Sequence, residues 1–398
     1  MQRLIEAIRA QMQTPLVAGN RAALLVDGPQ TLGAIRRAIE NARDHVHVET
    51  YIFADDEVGR DFRDLLLLRR REGVEVRVIY DAVGSRETPA AFFETLTRGA
   101  VEVRAFRPLD PVRTPRIWRT NNRDHRKLVI IDGRTAFTGG VNISSAYARS
   151  SAAKSGAETG EENGWRDTHV QIDGPVAAQF QALFLDTWNR AGESPPTTTQ
   201  ESSADRYYPA TKPAGTDLAA AAAGTGGDRE RSAIYSTYIA AVRYASKRLW
   251  MTQAYFAPNK ELRRELIDAA RRGVDVRLIA PGFTDSSLIF YASRATYEEL
   301  LAGGVRIYEQ RDALLHAKTL VVDGAASMVG SANFDMRSFL HNNEVNAVVV
   351  GSDFARRLEE VFEHDLASVH EINLQQWRKR SVFEKLKEFG AGLFSYWL

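Results

Sequence analysis

The sequence predicts an α/β protein built by duplication: two α/β/α sandwiches with mixed sheets, packed pseudo-two-fold around one site. Three matched segments predict it. RRREGVEVRVI at 69–79 corresponds to ARRGVDVRLI at 270–279, placing Gly73 against Gly273 at an offset of 200. GAVEV from Gly99 corresponds to GGVRI from Gly303, an offset of 204. HRKLVIID from His125 corresponds to HAKTLVVD from His316, an offset of 191. Near-constant offsets over separate segments mean a duplication of about half the chain, not a short solenoid unit. The drop from 204 to 191 places a connection 13 residues longer in the first copy, within Arg107–Asn122.

The elements follow in the same order in each copy. A helical segment (Thr31–Ala42; Arg231–Ser246) precedes a β-rich run, HVHVETYIF from His45 and RLWMTQAYF from Arg248. A helix ends at Gly73 or Gly273, where a C-terminal glycine belongs, and a β-branched run follows (Val74–Tyr80; Val274–Ala280). A further helix and short strand lead to the histidine segment. Alternating strands and helices imply sheets covered on both faces. The expected boundaries are a first half at 1–190, a linker at 191–230, a second half at 231–372 and a tail at 373–398. The linker assignment rests on SPPTTTQ, YYPATKP and AAAAAGTGG, all rich in small residues and Pro. ARSSAAKSGAETGEENG at 148–164 reads equally as an active-site flap or a tolerated surface insertion.

Composition narrows the classes. Of 398 residues, 44% are hydrophobic and 26% charged, ordinary for a globular chain. A formal net charge of +1 argues against a generic nucleic-acid binder, and no nucleic-acid partner is expected. The absence of cysteine removes disulfides, zinc-thiolate sites and thiol nucleophiles. No apolar run reaches the length of a spanning helix, and MQRLIEAIRAQM is too interrupted by charge for a secretory signal.

The chemistry lies in a pattern that occurs twice, H-x-K-x-x-x-x-D: His125, Lys127, Asp132 and His316, Lys318, Asp323. Each is followed by a glycine-containing turn ending in Asn, GGVN at Asn142 and GSAN at Asn333, 17 residues after the histidine. On a strand, His and Lys two apart project from one face. One such motif is more often structural than catalytic; two at matched positions of a repeat point to catalysis. All six motif residues are counted as catalytic candidates. The Asp-Gly position of Asp132 and Asp323 also suits a turn-fixing role. Two histidines, two lysines and two asparagines suit a tetrahedral anion. One neutral His attacks phosphorus and the other, protonated, supplies the leaving oxygen's proton, with no metal or cofactor needed. Two equivalent histidines in opposite protonation states each need an orienting group. The candidates are the carboxylate downstream in each copy, Asp167 and Glu344. His45 and His47 alternate with Val46 and Val48 and read as packing residues.

With these motifs, the chain resembles the phospholipase D superfamily. Within it, VETYIFADDEVGRDF, NNRDHRKLVIIDGRTAFTGGVNIS, WRDTHVQIDGPVA, YASRATYEELLAGGVRIYE and GSANFDMRSFLHNNEVNAVV are similar to the bacterial cardiolipin synthases lacking N-terminal spans. The resemblance implies phosphatidyl transfer between two phosphatidylglycerols through a phospho-histidine, giving cardiolipin and glycerol. It implies His125 as nucleophile and His316 as acid and base, a choice that the symmetry of the motifs leaves open. Lys127, Lys318, Asn142 and Asn333 would bind phosphate, and Asp167 and Glu344 would orient the histidines. A phospholipase D-type hydrolase and a superfamily nuclease share these residues and remain the alternatives.

A lipid substrate needs a route to the bilayer. Trp377–Leu398 holds five basic and two acidic residues, with Phe383, Leu386, Phe389, Leu393 and Trp397 recurring every three or four positions. This suits a helix lying in a membrane interface through Trp377, Phe383, Phe389, Phe394 and Trp397, at the cytoplasmic face of a bacterial inner membrane. The competing expectation is a tail docked on the protein's own core. Leu4, Ile5, Ile8 and Met12 form a similar stripe for which docking is expected. No obligate protein partner is implied.

Overall fold

The computed structural model describes residues 1–108, 122–151, 164–191, 206–224, 232–284 and 286–393. Gly73 and Gly273 take φ of +93° and +89° with open space around them, so the left-handed conformation selects glycine there. The helices they close start alike, on the side-chain caps Asp56 to Gly59 N and Asn259 to Leu262 N. The insertion expected in 107–122 and most of the stretch at 148–164 lie outside the described residues.

The first half runs α1 (Gln2–Gln11), β1 (Val17–Val26), α2 (Asp27–Glu40), β2 (His45–Thr50), α3 (Glu57–Arg71), β3 (Glu75–Asp81), α4 (Ala90–Arg98), β4 (Glu102–Phe106), β5 (Leu128–Ile131), β6 (Thr135–Gly139), β7 (Thr168–Asp173) and α5 (Ala177–Ala191). The second runs β8 (Asp217–Gly224), α6 (Ala233–Tyr244), β9 (Arg248–Gln253), β10 (Phe256–Ala257), α7 (Lys260–Arg271), β11 (Asp275–Pro281), α8 (Ser287–Arg294), α9 (Tyr297–Ala302), β12 (Arg306–Gln310), β13 (Lys318–Val322), β14 (Ala326–Gly330), β15 (Phe334–Asp335), α10 (Met336–Leu340), β16 (Glu344–Val350), α11 (Ser352–Leu366) and β17 (His370–Glu371). Two helices complete the described chain, α12 (Leu374–Arg378) and α13 (Val382–Gly392).

Strand order shows the pseudo-symmetry. Outward from the centre it is β1-β7-β6-β5-β2-β3-β4 on one side and β8-β16-β14-β13-β9-β11-β12-β17 on the other, one continuous 15-stranded sheet. The β2-β3-β4 and β9-β11-β12 ladders are parallel and the rest antiparallel, as a mixed sheet requires. β1 pairs β8 across the pseudo-axis.

That junction corrects the linker at 191–230. Within it, the alanine run is β8, paired to β16 over seven residues and buried on both faces. Ala219 and Ala221 face one core and Ala222 another. Tyr207, also in that stretch, is buried against His45 and His47 and donates to Glu75 at 2.5 Å. The rest of the segment, 192–205 and 225–230, lies outside the described residues.

Three cores hold the layers. One packs α2, α3 and α4 on the first half, and one packs α1, α6 and α7 on the second. The third joins both halves, setting Phe180, Phe184 and Trp188 of α5 and Phe354, Leu358 and Phe362 of α11 on the sheet. His45 and His47 are buried, bonded to Gln181, and His47 stacks on Phe184. Leu4 and Ile8 are buried, so α1 docks as expected.

The tail divides. Trp377 is 6% exposed, its ring tilted against Tyr297 at 5.2 Å with Arg294 and Arg380 over it, so it belongs to the core and not to a membrane-facing stripe. α13 packs one side on α8, with Glu388 buried against Arg380 and Arg294. Its other side leaves Val382, Phe383, Leu386, Phe389 and Leu393 exposed. Phe394 and Trp397 lie outside the described residues.

Candidate active site

The strands that carry the two motifs start at the same place. Ahead of β5, His125 N donates to Asn343 O at 3.0 Å; ahead of β13, His316 N donates to Arg166 O at 2.8 Å. Asn343 immediately precedes Glu344, and Arg166 immediately precedes Asp167. Each histidine segment is therefore zipped to the segment that delivers the other half's carboxylate. Parallel bridges Asp124–Asn343 and Arg166–Leu315 mark the two contacts.

The side chains follow the backbone. His125 Nδ1 lies 3.0 Å from Glu344 Oε1, and His316 Nδ1 lies 2.8 Å from Asp167 Oδ2. The orienting pairs thus form between the halves. The in-copy matching suggested by position along the chain is replaced by a crossed one. A carboxylate on Nδ1 fixes the proton there and leaves Nε2 for chemistry.

The lengths of the two carboxylates also explain why one motif reads GG and the other GS. A Cβ on Gly140 would stand 2.1 Å from Asp167 Oδ1. At the matching position, Ser331 fits beside the longer Glu344 and donates to Oε2 at 2.5 Å. Asp167 is also held by Thr168 N at 2.7 Å.

Both histidines line a cavity of about 280 Å³, together with Asn142, Asn333, Tyr51, Tyr147, Trp165, Tyr255, Arg123 and Arg337. Asn142 accepts from Ile52 N and donates to the Tyr147 hydroxyl, which is itself 3.3 Å from His316 Nδ1. Asn333 Oδ1 has no partner among the described residues. Lys127 and Lys318 are buried, each Nζ donating to the carbonyl of the histidine two residues back. They stand behind the cavity wall and charge it from within.

Electrostatics separate the two pairs. Burial, Lys127 and Lys318 hold His125 well below the ordinary imidazole value. Burial and Lys318 also lower His316, but Asp167 works against them. Burial pushes the Glu344 carboxyl up to about 7, more than Lys127 and Ser331 pull it down. Burial raises Asp167 too, yet His316, Lys318 and the Thr168 amide outweigh it and leave it below the usual carboxylate range. Burial, opposed by Glu344, brings the Lys127 amine down to about 7.

Asp132 and Asp323 are not in this site, which corrects their place among the catalytic candidates. They sit at the opposite end of β5 and β13, about 20 Å along the chain from their histidines. Both take positive φ, followed by a positive-φ glycine, in the β5–β6 and β13–β14 turns. Asp132 accepts from the amides of Arg43, Asp44 and His45, and Asp323 from those of Ser246, Lys247 and Arg248. They tie the helix–strand turns before β2 and β9.

Sequence reasoning missed Tyr51, Tyr147, Trp165, Arg123, Tyr255 and Arg337. All but Tyr147 fall inside segments quoted above, but they have no counterpart in the other copy to single them out.

A duplicated α/β/α fold that merges two histidine half-sites defines the phospholipase D class of phosphoryl-transfer protein. Comparison with known proteins narrows the class. The family described as "Cardiolipin synthase, PLD-like domain" matches residues 35–188 and 238–366. Cardiolipin synthase of Geobacillus kaustophilus is 35% identical, over 96% of this chain and 73% of its own length. That of Listeria monocytogenes serotype 4a is 36% identical, over 96% of this chain and 76% of its own. The chain belongs to this cardiolipin synthase family. Among solved structures, phosphatidylserine synthase of Haemophilus influenzae superimposes with a TM-score of 0.73 at 14% identity, over 99% of this chain and 100% of that one. At that identity the likeness concerns the fold.

Proposed function

We propose that the protein is a phosphatidyltransferase that makes cardiolipin and glycerol from two phosphatidylglycerols. The observation that carries this is the facing pair of imidazoles on one cavity, each clamped at Nδ1 by a carboxylate of the opposite half. His125 Nε2 attacks the phosphorus of the first lipid as the bond to its glycerol headgroup breaks. His316, protonated, gives its proton to the departing glycerol oxygen. His316 then takes the proton from a hydroxyl of the second lipid, whose oxygen attacks phosphorus and breaks the P–N bond. Cardiolipin forms, and both imidazoles return to their starting states.

The unequal carboxylates support this division of roles. An ionised Asp167 favours imidazolium at His316, whereas Glu344, with its raised pKa, leaves His125 neutral and nucleophilic. Lys127, Lys318, Asn142 and Asn333 stabilise the charge that builds on the phosphate oxygens.

Access to lipid is assigned to α13. The helix it packs on, α8, exposes Leu288, and Ile289 of the same helix lines the cavity. Lys387, with its Nζ 4.6 Å from the Phe383 ring centre, stands at the exposed apolar face of α13, and a basic residue there adds about 1 kcal/mol at an anionic leaflet. Among the described residues no helix is long and apolar enough to cross a membrane. The exposed apolar face of α13 supports a peripheral location, proposed at the cytoplasmic leaflet of the inner membrane.

Product analysis with purified protein and phosphatidylglycerol tests the function. Cardiolipin with equimolar glycerol is expected. Phosphatidic acid as the main product would make the protein a hydrolase instead.

A further inference from the structure

The catalytic groups of the cavity come in symmetric pairs, but the two lipids they join have different roles. One is attacked at phosphorus and the other supplies a hydroxyl. A device that distinguishes them must break the pseudo-symmetry.

Arg337 does so. It lies on α10, four residues after Asn333, and lines the cavity. The matching position four residues after Asn142 is Ala146. Arg337 is half-buried and its guanidinium makes no ion pair or hydrogen bond among the described residues. The carboxylate nearest in sequence, Asp335, also lines the cavity but is engaged in the helix cap, where it accepts from Ser338 N at 2.7 Å, and it makes no ion pair with Arg337. Arg123, the other arginine lining the cavity, is 2% exposed and already paired with a carboxylate, Asp81, at 3.2 Å; its Nη2 donates to the carbonyls of Phe106 and Arg107, while its Nη1 makes no hydrogen bond among the described residues. Among the described residues, Arg337 is thus the arginine of this wall whose charge no carboxylate pairs. Its charge adds to burial, Lys127, Lys318 and His316 in depressing the proton affinity of His125, so its field reaches the reacting centre.

A guanidinium without a carboxylate partner at the wall of a phosphodiester site is suited to a second phosphodiester, because its fork matches two phosphate oxygens. Building on the proposed cardiolipin synthesis, the geometry points to Arg337 as the acceptor-specificity residue, which holds the phosphate of the second phosphatidylglycerol while its hydroxyl faces the phospho-histidine. Water and simple alcohols carry no phosphate, so they gain nothing from Arg337. The residue selects an anionic lipid acceptor over neutral ones and over hydrolysis.

The test is a partition experiment. Purified full-length protein receives phosphatidylglycerol vesicles with a fixed concentration of ethanol, and cardiolipin and phosphatidylethanol are measured together. Arg337→Gln is expected to lower the cardiolipin-to-phosphatidylethanol ratio at least tenfold, with Arg337→Lys falling between it and the unmodified protein. A ratio unchanged within twofold in Arg337→Gln overturns the assignment, whatever happens to total turnover. If Arg337→Gln does not fold, Arg337→Lys reads the same quantity, with at least a threefold fall expected and an unchanged ratio overturning it. Unmodified protein that forms no cardiolipin overturns the acceptor role and the proposed function together. Cardiolipin from the unmodified protein with an unchanged variant ratio overturns the acceptor role alone.

Discussion

Asp167 shows how much one carboxylate decides. Burial and Lys318 depress the proton affinity of His316, and the Asp167 contact at 2.8 Å restores part of it. In the proposed mechanism turnover needs His316 protonated as the headgroup leaves, so activity should fall as pH rises through the His316 pKa. Asp167→Asn removes the support, lowers that pKa and moves the alkaline limb of the kcat profile to lower pH. A loss of roughly 10²-fold or more is expected at neutral pH. An alkaline limb at its original pH would show that Asp167 does not act through His316. The sequence marked both histidines and both carboxylates, because duplication makes such residues stand out in pairs. It could not mark who faces whom, since spacing along the chain carries no information about contacts between halves. Tyr147 and Arg337 stayed hidden for a related reason: each occurs in one copy alone.

At the level of elements, the repeated motif divides into an end that faces the cavity and an end that builds the fold. Asp132 accepts three backbone amides in the turn before β2. Asp132→Ala would leave them without that partner, at about 1–3 kcal/mol, lowering the melting temperature by several degrees. The folded fraction should keep its kcat, and a large kcat loss at full folding would return Asp132 to the chemistry. The tail shows the same division. Its stripe of apolar residues was legible, but periodicity does not say which aromatic finds a place on the core; Trp377 does and Phe383 does not. A Phe383→Ser, Phe389→Ser double variant should keep its melting temperature and lose at least tenfold in binding to anionic vesicles, from the apolar area withheld from the bilayer. Unchanged sedimentation with such vesicles would remove α13 from the membrane contact. β8 escaped the sequence because five successive alanines lack the β-branched signature of a strand. They suit it because the strand is buried on both faces where cores meet.

Across the whole molecule, duplication explains the palindromic strand order and the cavity that the two halves share. Two half-sites share one centre because each histidine segment pairs with the approach to the other half's carboxylate. Neither half holds a complete histidine–carboxylate pair. The symmetry is broken at the cavity, by Asp against Glu at Nδ1 and by Arg337 against Ala146 at the wall, the two differences on which the proposed chemistry rests. The most direct measurement is the site of the covalent intermediate. Protein mixed with phosphatidylglycerol, quenched in alkali to preserve phospho-histidine and digested for mass spectrometry, should carry the phosphatidyl group on His125. The group on His316, or steady turnover with no histidine adduct on either residue, would contradict the division of roles proposed for the two halves.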